Sequence, residues 1–562
     1  MLILSDPRQA LNRTARSKAT APPAAPPLPL SEPSALHQVR LVALVLSALF
    51  LTVAGQLVRL GLRADGPTLA AFTEPVALTV SWPDIVDRNG RLLATDVEVH
   101  SLYADPSRVI DRDEAVEALA AVLPDLNTTE VLRSLADTSK HFVWVRRQLP
   151  PKLAQAVHDL GLPGFSFRKE LRRAYPLGSL AGHILGGVNV NNRGVSGLER
   201  TIDDEVGVDP VRATRPTERP PVRLSIEVGA QAALEAELSD AVSRFHAAAA
   251  AAIVIDVHSG EIAASASLPA IEPARAADAL DPLKRDRLQS GTYELGSIFK
   301  TMTIAMALDS GQVTPDTVFD VTQPLTAGRF EIKDLHGAGR PLSVTEIFLH
   351  SSNVGAGMMA LAAGAPAQQD FLARAGLISP IRTEAGPVAA PVLPERWERA
   401  QTITVSYGHG IAVAPLQFAS AAAALVNGGV SIAPTYLLRR PGEPAPEGVR
   451  VVSEETSARI RTLMRKNVTE ADGTGKRADV PGFEVGGKTG TADIAGPRGY
   501  HEGGVISSFF ATFPASAPRY VMLVLIFEPK PTSESGGKVL AGLTAAPAAG
   551  RIITRLGPLL GR

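Results

Sequence analysis

The chain has 562 residues, 45% of them hydrophobic and 20% charged, with a formal net charge of −1. That length allows two or more domains of ordinary size, and the balance is that of a globular protein with a real core rather than a nucleic-acid binder. There is no cysteine, which excludes a thiol nucleophile, disulfides and thiolate metal sites; the eleven histidines show no metal-ligand spacing, so no metal or other cofactor is expected.

Leu41–Leu57 is an uncharged apolar run of about 17 residues, near the lower limit for one membrane-spanning helix. The Ala/Pro-rich stretch before it (21–35) offers no globular partner, which disfavours a buried core helix. The small residues Thr52, Ala54 and Gly55 leave a cleaved signal peptide open, but the stretch ahead of the run is long for a leader. Arg8, Arg13, Arg16, Lys18 and Arg40 outweigh Asp6 and Glu32, so the tail belongs in the cytoplasm and everything beyond about residue 60 outside. The expected division is a cytoplasmic tail (1–38) and a single transmembrane anchor (39–59).

A mixed α/β region follows. Asn89-Gly90 between two apolar runs predicts a hairpin, and 113–123 a helix with Asp113 and Glu114 in its first turn. The Gly/Asn-rich stretch from Tyr175 to Glu199 reads as loop without an obvious catalytic group. A stretch rich in Pro and Arg (209–223) marks a boundary, giving a pedestal domain (60–220) and a C-terminal domain (221–562). In the latter, 251–267 reads as two strands turning at His258–Gly260, and 297–311 as a helix apolar on most sides and stopped by Gly311. Helices over 343–352, 415–429 and 453–468, strands over 507–515 and 519–529, and a last helix around 545–556 complete an α+β fold, an antiparallel sheet with helices.

Three strings carry the chemistry: Ser297-Ile-Phe-Lys300, Ser351-Ser-Asn353 and Lys488-Thr-Gly-Thr491. Ser297 follows Gly296 at a helix start, where free N–H groups favour an oxyanion, and Lys300 lies one turn on. Sunk among apolar residues, that Lys loses proton affinity and becomes a competent base. An N-cap Ser with a snorkelling Lys is the plainer alternative. Ser351 and Asn353 suit either helix caps or a proton relay with an amide for a substrate carbonyl. Lys488-Thr489-Gly490-Thr491 reads as a strand that can pair with an extended peptide, Gly490 allowing close approach, Lys488 attracting a carboxylate and the Thr491 N–H completing an oxyanion hole with that of Ser297. A phosphate-loop reading of the Gly-Gly-Lys-Thr string is set aside in favour of this one.

The chain resembles the class B penicillin-binding proteins, and among them the division-specific (FtsI-type) peptidoglycan D,D-transpeptidases. DIVDRNGRLLATDVEVHSLYADP (84–106), RRAYPLGSLAGHILGGVN (172–189) and RGVSGLERTID (193–203) are similar to the pedestal motifs; YELGSIFK (293–300), SSNVG (351–355), SYGHGIAVAPLQ (406–417), GTGKRA (473–478) and GGKTGTA (486–492) are similar to the catalytic ones. Departures are Ser81-Trp82 where a basic residue is usual, which leaves some pedestal contacts in doubt, Asp286-Arg287 for Asn-Arg, and Leu295 and Ile298 for Pro and Thr. The resemblance implies a penicillin-binding, serine β-lactamase-like transpeptidase domain with Ser297, Lys300 and Ser351 catalytic, and Asn353, Lys488, Thr489, Gly490 and Thr491 binding substrate. It implies stem peptides ending in D-Ala-D-Ala as substrate, β-lactams as inhibitors, and an FtsW-like SEDS glycosyltransferase and other divisome membrane proteins as partners, in the bacterial inner membrane with the catalytic domain periplasmic. A class A β-lactamase would be shorter and need a Glu-x-x-x-Asn, which is lacking between Ser351 and Lys488; a sensor-transducer would have several spans; an inactive scaffold would not keep the three strings. A D,D-carboxypeptidase or an elongation-type transpeptidase remains open.

Overall fold

The structure is a computed structural model that describes residues 33–62, 82–206 and 220–561, apart from 328–329, 336, 441, 445 and 497–498. The basic residues up to Lys18, Ser81 and most of the Pro/Arg-rich boundary stretch lie outside the described residues.

Helix α1 (Pro33–Leu62) forms where the anchor is expected. Its side chains are described from Arg40 to Gln56, all exposed, and among the described residues no helix is long and apolar enough to cross a membrane. The single span therefore remains an expectation.

The pedestal begins with the expected hairpin. Asp87 Oδ1 accepts from the N–H groups of Asn89 and Arg91 at 2.8 Å each, and Gly90 takes φ +84°, which a side chain rarely tolerates. Strand β1 (Leu92–Ala104) is the spine of this domain. Helix α2 (Arg112–Val122) starts where Asp111 caps the N–H groups of Asp113 and Glu114, and α3 (Thr128–Leu135) follows. Strand β2 (Val143–Leu149), α4 (Pro151–Asp159) and β3 (Phe165–Ala174) come next, β2 and β3 flanking β1 antiparallel. Leu102, Leu119, Leu149 and Val157 form their core.

The stretch 175–199 is more ordered than a loop: a short helix (Gly182–Leu185), a small hairpin (Gly187–Val188 with Gly194–Ser196) and the start of α5 (Gly197–Val206). It carries a buried ionic cluster. Arg173 donates to Glu199 Oε1 at 2.7 Å, Asp96 Oδ1 at 3.3 Å and the Pro83 carbonyl at 2.9 Å. Burial pushes the Glu199 carboxyl above its ordinary range, with Arg173 opposing. Trp82, at the position that departs from the family pattern, stacks its ring 5.8 Å from the Arg173 guanidinium while its N–H donates to Asp96 Oδ2 at 2.7 Å. Removing one partner of such a cluster costs about 3–5 kcal/mol.

The pedestal is tied to the C-terminal domain at its base. Ile85–Val86 pairs in parallel with Val222–Arg223, Arg88 meets Glu261 at 2.8 Å, and Asp87 Oδ2 accepts from Val228 N–H at 3.1 Å. Beyond it lie α6 (Val228–Arg244), β4 (Ala249–Asp256) and β5 (Ile262–Leu268), then a 3-10 turn (Gly296–Phe299) running straight into α7 (Lys300–Asp309). Helices α8 (Val344–His350), α9 (Asn353–Ala363), α10 (Pro415–Ala423) and α11 (Glu454–Thr469) precede β6 (Gly486–Gly496), β7 (Gly499–Phe513), β8 (Tyr520–Phe527) and α12 (Ala545–Leu560). The five strands form an antiparallel sheet in the order β6-β7-β8-β4-β5.

Alternation puts the two sheet faces in different cores. Ala250, Val254, Met522, Val524 and Phe509 pack with α6 and α12, whereas Ala251, Ile253, Leu523, Leu525 and Phe510 pack with α7 and α10. Lys488 pairs with Phe510 and Gly490 with Ser508, so both face the α7 layer; Thr489 and Thr491 face the other way. Residues 482–489 do spell the phosphate-loop pattern, but Lys488 sits inside β6, and β7 rather than a helix follows, so that reading fails on context.

Candidate active site

The nucleophile turn is set by close packing. Gly296 takes φ +58°, and a Cβ there would lie 2.8 Å from the Thr491 carbonyl; Gly408, with φ +79°, donates its carbonyl to the Gly296 N–H at 3.3 Å. Ser297 is thus held between edge strand β6 and the 406–410 loop.

Lys300, at the first position of α7, is fully buried. Its ammonium donates to Ser297 Oγ at 3.0 Å, to Ser351 Oγ at 3.1 Å and, very closely, to the Ser351 carbonyl. Burial drives its pKa well below the ordinary lysine value, the Lys488 charge adds to this and Asp334 opposes it. A buried amine touching a serine hydroxyl and carrying depressed proton affinity is a general base in waiting. The plainer alternative, a snorkelling lysine, fails because the amine has no route to solvent.

Ser351 closes α8 with φ +59°, a left-handed conformation that a side chain rarely adopts. That bend aims both its oxygens at Lys300. Asp334 fastens the next residues: it accepts from Ser352 Oγ at 2.6 Å, Asn353 N–H at 2.6 Å and Val354 N–H at 3.0 Å. Asn353 Nδ2 donates to the Lys333 carbonyl at 3.4 Å.

Lys488 is fully buried too; burial lowers its pKa to about 7. Its ammonium donates to the Thr489 carbonyl at 3.3 Å and lies 5.6 Å from the Phe348 ring centre. Thr489 Oγ1 donates to Thr474 Oγ1 at 2.6 Å, and Asn467 bridges the Thr474 N–H and the Gly487 carbonyl. Thr491 Oγ1 accepts from Ala541 N–H at 3.2 Å. A Cβ on Gly490 would meet Ser508 Oγ at 2.5 Å, the Leu295 carbonyl at 2.8 Å and Ile298 Cγ2 at 2.9 Å. The close approach that this glycine permits is therefore to the nucleophile turn, not to a substrate peptide as the sequence suggested.

A cavity of about 690 Å³ opens beside these groups, lined among others by Ser297, Ser351, Asn353, Tyr407, Thr489 and Thr491. Lys300 and Lys488 lie behind its wall. The three strings thus converge, with Gly490 beneath the strand. Asp334, Asn467 and Thr474 are the positions that sequence reasoning missed, although Thr474 falls inside the quoted GTGKRA string. Asp334 has no periodic or motif signal of its own. Among the described residues no His, Asp or Glu cluster could hold a metal.

Residues 250–548 match the family model described as the penicillin binding protein transpeptidase domain, and 83–207 the penicillin-binding protein dimerisation domain. The chain is similar to a probable peptidoglycan D,D-transpeptidase FtsI of Caulobacter vibrioides, 40% identical over 485 residues, 85% of this chain and 81% of the relative. It is similar to the peptidoglycan D,D-transpeptidase FtsI of Escherichia coli, 31% identical over 494 residues, 84% of this chain and 82% of the relative. The crystal structure of Penicillin Binding Protein 2X from Streptococcus thermophilus shares the fold, with TM-score 0.67 and 21% identity, covering 86% of this chain and 80% of that one.

Proposed function

The chain belongs to the penicillin-binding protein transpeptidases, and from that premise we propose that it cross-links peptidoglycan stem peptides ending in D-Ala-D-Ala through an acyl-enzyme on Ser297. It is a serine-type peptidoglycan D,D-transpeptidase. The observation that carries the assignment of residues is the 3.0 Å contact between Ser297 Oγ and the fully buried Lys300 amine.

In this reading neutral Lys300 takes the Ser297 proton as Oγ attacks the penultimate D-Ala carbonyl. The N–H groups of Ser297 and Thr491 receive the oxyanion; Thr491 suits this because its carbonyl side abuts Gly296. Ser351 Oγ, 3.1 Å from Lys300, relays the proton to the departing D-Ala amine. The acceptor amine of a second stem peptide then retraces the path, freeing Ser297. Asn353 offers its amide to the donor peptide, and β6, as an edge strand, pairs with it. The hydroxyls of Thr489 and Thr491 receive the terminal carboxylate, while buried Lys488 contributes its field from behind the strand when protonated. A β-lactam follows the same first steps and stops at the acyl-enzyme.

The domain division 1–38, 39–59, 60–220 and 221–562, the inner-membrane anchor with a periplasmic catalytic domain, and a septal role beside an FtsW-like SEDS glycosyltransferase and other divisome proteins belong to the same proposal. They are supported by the uncharged run Leu41–Leu57, the basic tail and the similarity to FtsI proteins. Purified protein given a stem-peptide donor and an amine acceptor should form cross-linked dimer and release D-Ala; release of D-Ala without dimer at saturating acceptor would instead make it a carboxypeptidase. A version lacking the first 59 residues should bind penicillin yet fail to restore septation in depleted cells. Restored division would refute the anchor's role, and rescue of elongation rather than division would favour the elongation-type reading.

A further inference from the structure

The cavity beside Ser297 is bordered by charges that the reaction outlined above does not use. Lys476, Arg477 and Lys538 line it, all exposed, against one carboxylate, Asp493. Among the described residues none of the three cations has an ion-pair partner. Lys476 donates to the Ala471 carbonyl and Arg477 to the Glu534 carbonyl, while Glu534 gives its own carboxylate to Arg244 and Arg551. A chain of net charge −1 has carboxylates to spare. Leaving three cations uncompensated in one cleft raises the local concentration of anions there.

Their backbone is fastened to the strand that would hold the peptide. Lys476 and Arg477 follow Thr474, whose hydroxyl accepts from Thr489 Oγ1. Lys538 leads into Ala541, whose N–H donates to Thr491 Oγ1. The Arg477 contact with the Glu534 carbonyl links the two segments. The cations therefore flank β6 on the side where Thr489 and Thr491 look out. One terminal carboxylate is already served by those hydroxyls with Lys488 behind them, so three more positive charges exceed what D-Ala-D-Ala alone requires.

Resting on the transpeptidase reading, we infer that this rim selects a stem peptide bearing a second carboxylate, on the residue that precedes the terminal D-Ala-D-Ala. The cavity volume of about 690 Å³ exceeds what the two alanines fill and leaves room for that residue. Lys538 is the central contact, since its ammonium makes no hydrogen bond or ion pair among the described residues.

The test uses the full chain and two synthetic peptides ending in D-Ala-D-Ala, identical except that the preceding residue is glutamate or glutamine. Each competes with a fluorescent penicillin for Ser297. Wild type should be protected by the glutamate peptide at about tenfold lower concentration, the scale of a few exposed ion pairs acting together, and the gap should shrink in 0.5 M salt (an amount of about three Debye-screened contacts). In the triple variant Lys476→Ala/Arg477→Ala/Lys538→Ala, with its melting temperature checked, the two peptides should become equal; Lys538→Glu should favour glutamine. Equal protection in wild type, or an unchanged preference in both variants, would overturn the inference. Variants that weaken both peptides equally would assign the cations to the terminal carboxylate instead. Protection by neither peptide would count against the stem-peptide reading itself, which dimer formation checks separately.

Discussion

Gly490→Ala is the most informative small perturbation in this site. The added methyl would meet Ser508 Oγ at 2.5 Å, the Leu295 carbonyl at 2.8 Å and Ile298 Cγ2 at 2.9 Å, and real Cβ atoms essentially never come that close. The Ser508 hydroxyl can rotate only by giving up its 3.1 Å bond to the Gly490 carbonyl. The Leu295 carbonyl is backbone and can yield only if the turn carrying Ser297 moves. Overpacking of this kind costs about 1–3 kcal/mol of stability, and a nucleophile displaced by ~1 Å loses about 10²-fold in rate. Gly487→Ala is the matched control. Its methyl would overlap the Phe509 ring and meet the Phe510 carbonyl at 2.8 Å, on the same strand but away from Leu295. Both variants should melt lower; in stopped-flow acylation by a fluorescent penicillin, Gly490→Ala should slow by about 10²-fold and Gly487→Ala far less, with Gly490→Val worse than either. Gly490→Ala acylated at the wild-type rate would refute the claim that this glycine sets the position of Ser297.

Lys300→Ala should lower the acylation rate by roughly 10²–10⁴, while near-native acylation would move the base elsewhere. Lys488→Met should shift the rise of acylation rate with pH toward higher pH, because the Lys488 charge helps to depress Lys300; the two amines titrate as a pair, and an unmoved profile would contradict that coupling. The same substitution carries a stability signature. Folded Lys488 has a pKa of about 7 against an ordinary 10.5, so wild type pays a penalty, on the order of 5 kcal/mol, that is complete below pH 7 and fades as pH rises toward 10.5. Lys488→Met should therefore melt higher than wild type at pH 6, with the difference closing by pH 10. Asp334→Ala should depress acylation and melting together by freeing the Ser352 hydroxyl and two N–H groups, and Asp334→Asn, which keeps an acceptor oxygen for the N–H groups, should recover part of the loss.

Elements whose cause is local were legible in the sequence. Asn89-Gly90 turns where expected, Asp111 and Ser343 cap the helices that follow them, and the crowded apolar residues after Ser297 bury α7. The helix there begins one residue past the nucleophile turn's end, at Lys300, since Gly296–Phe299 is wound as a 3-10 turn. What the sequence hid is set by contacts between distant segments. The face on which Gly490 and Lys488 lie depends on the register of β6 against β7, which no local pattern states. Asp334 matters only because a chain reversal brings it under Ser352 and Asn353, and the order within 175–199 depends on a buried Arg173–Glu199 pair joining β3 to α5. The three catalytic strings were legible as motifs, and their convergence required the fold.

The most direct measurement is peptide mapping by mass spectrometry of the protein after penicillin treatment. The account predicts a single acyl adduct on Ser297, absent from Ser297→Ala and nearly absent from Lys300→Ala. An adduct on Ser351 or any other residue, or a Ser297→Ala protein that still labels, would contradict it.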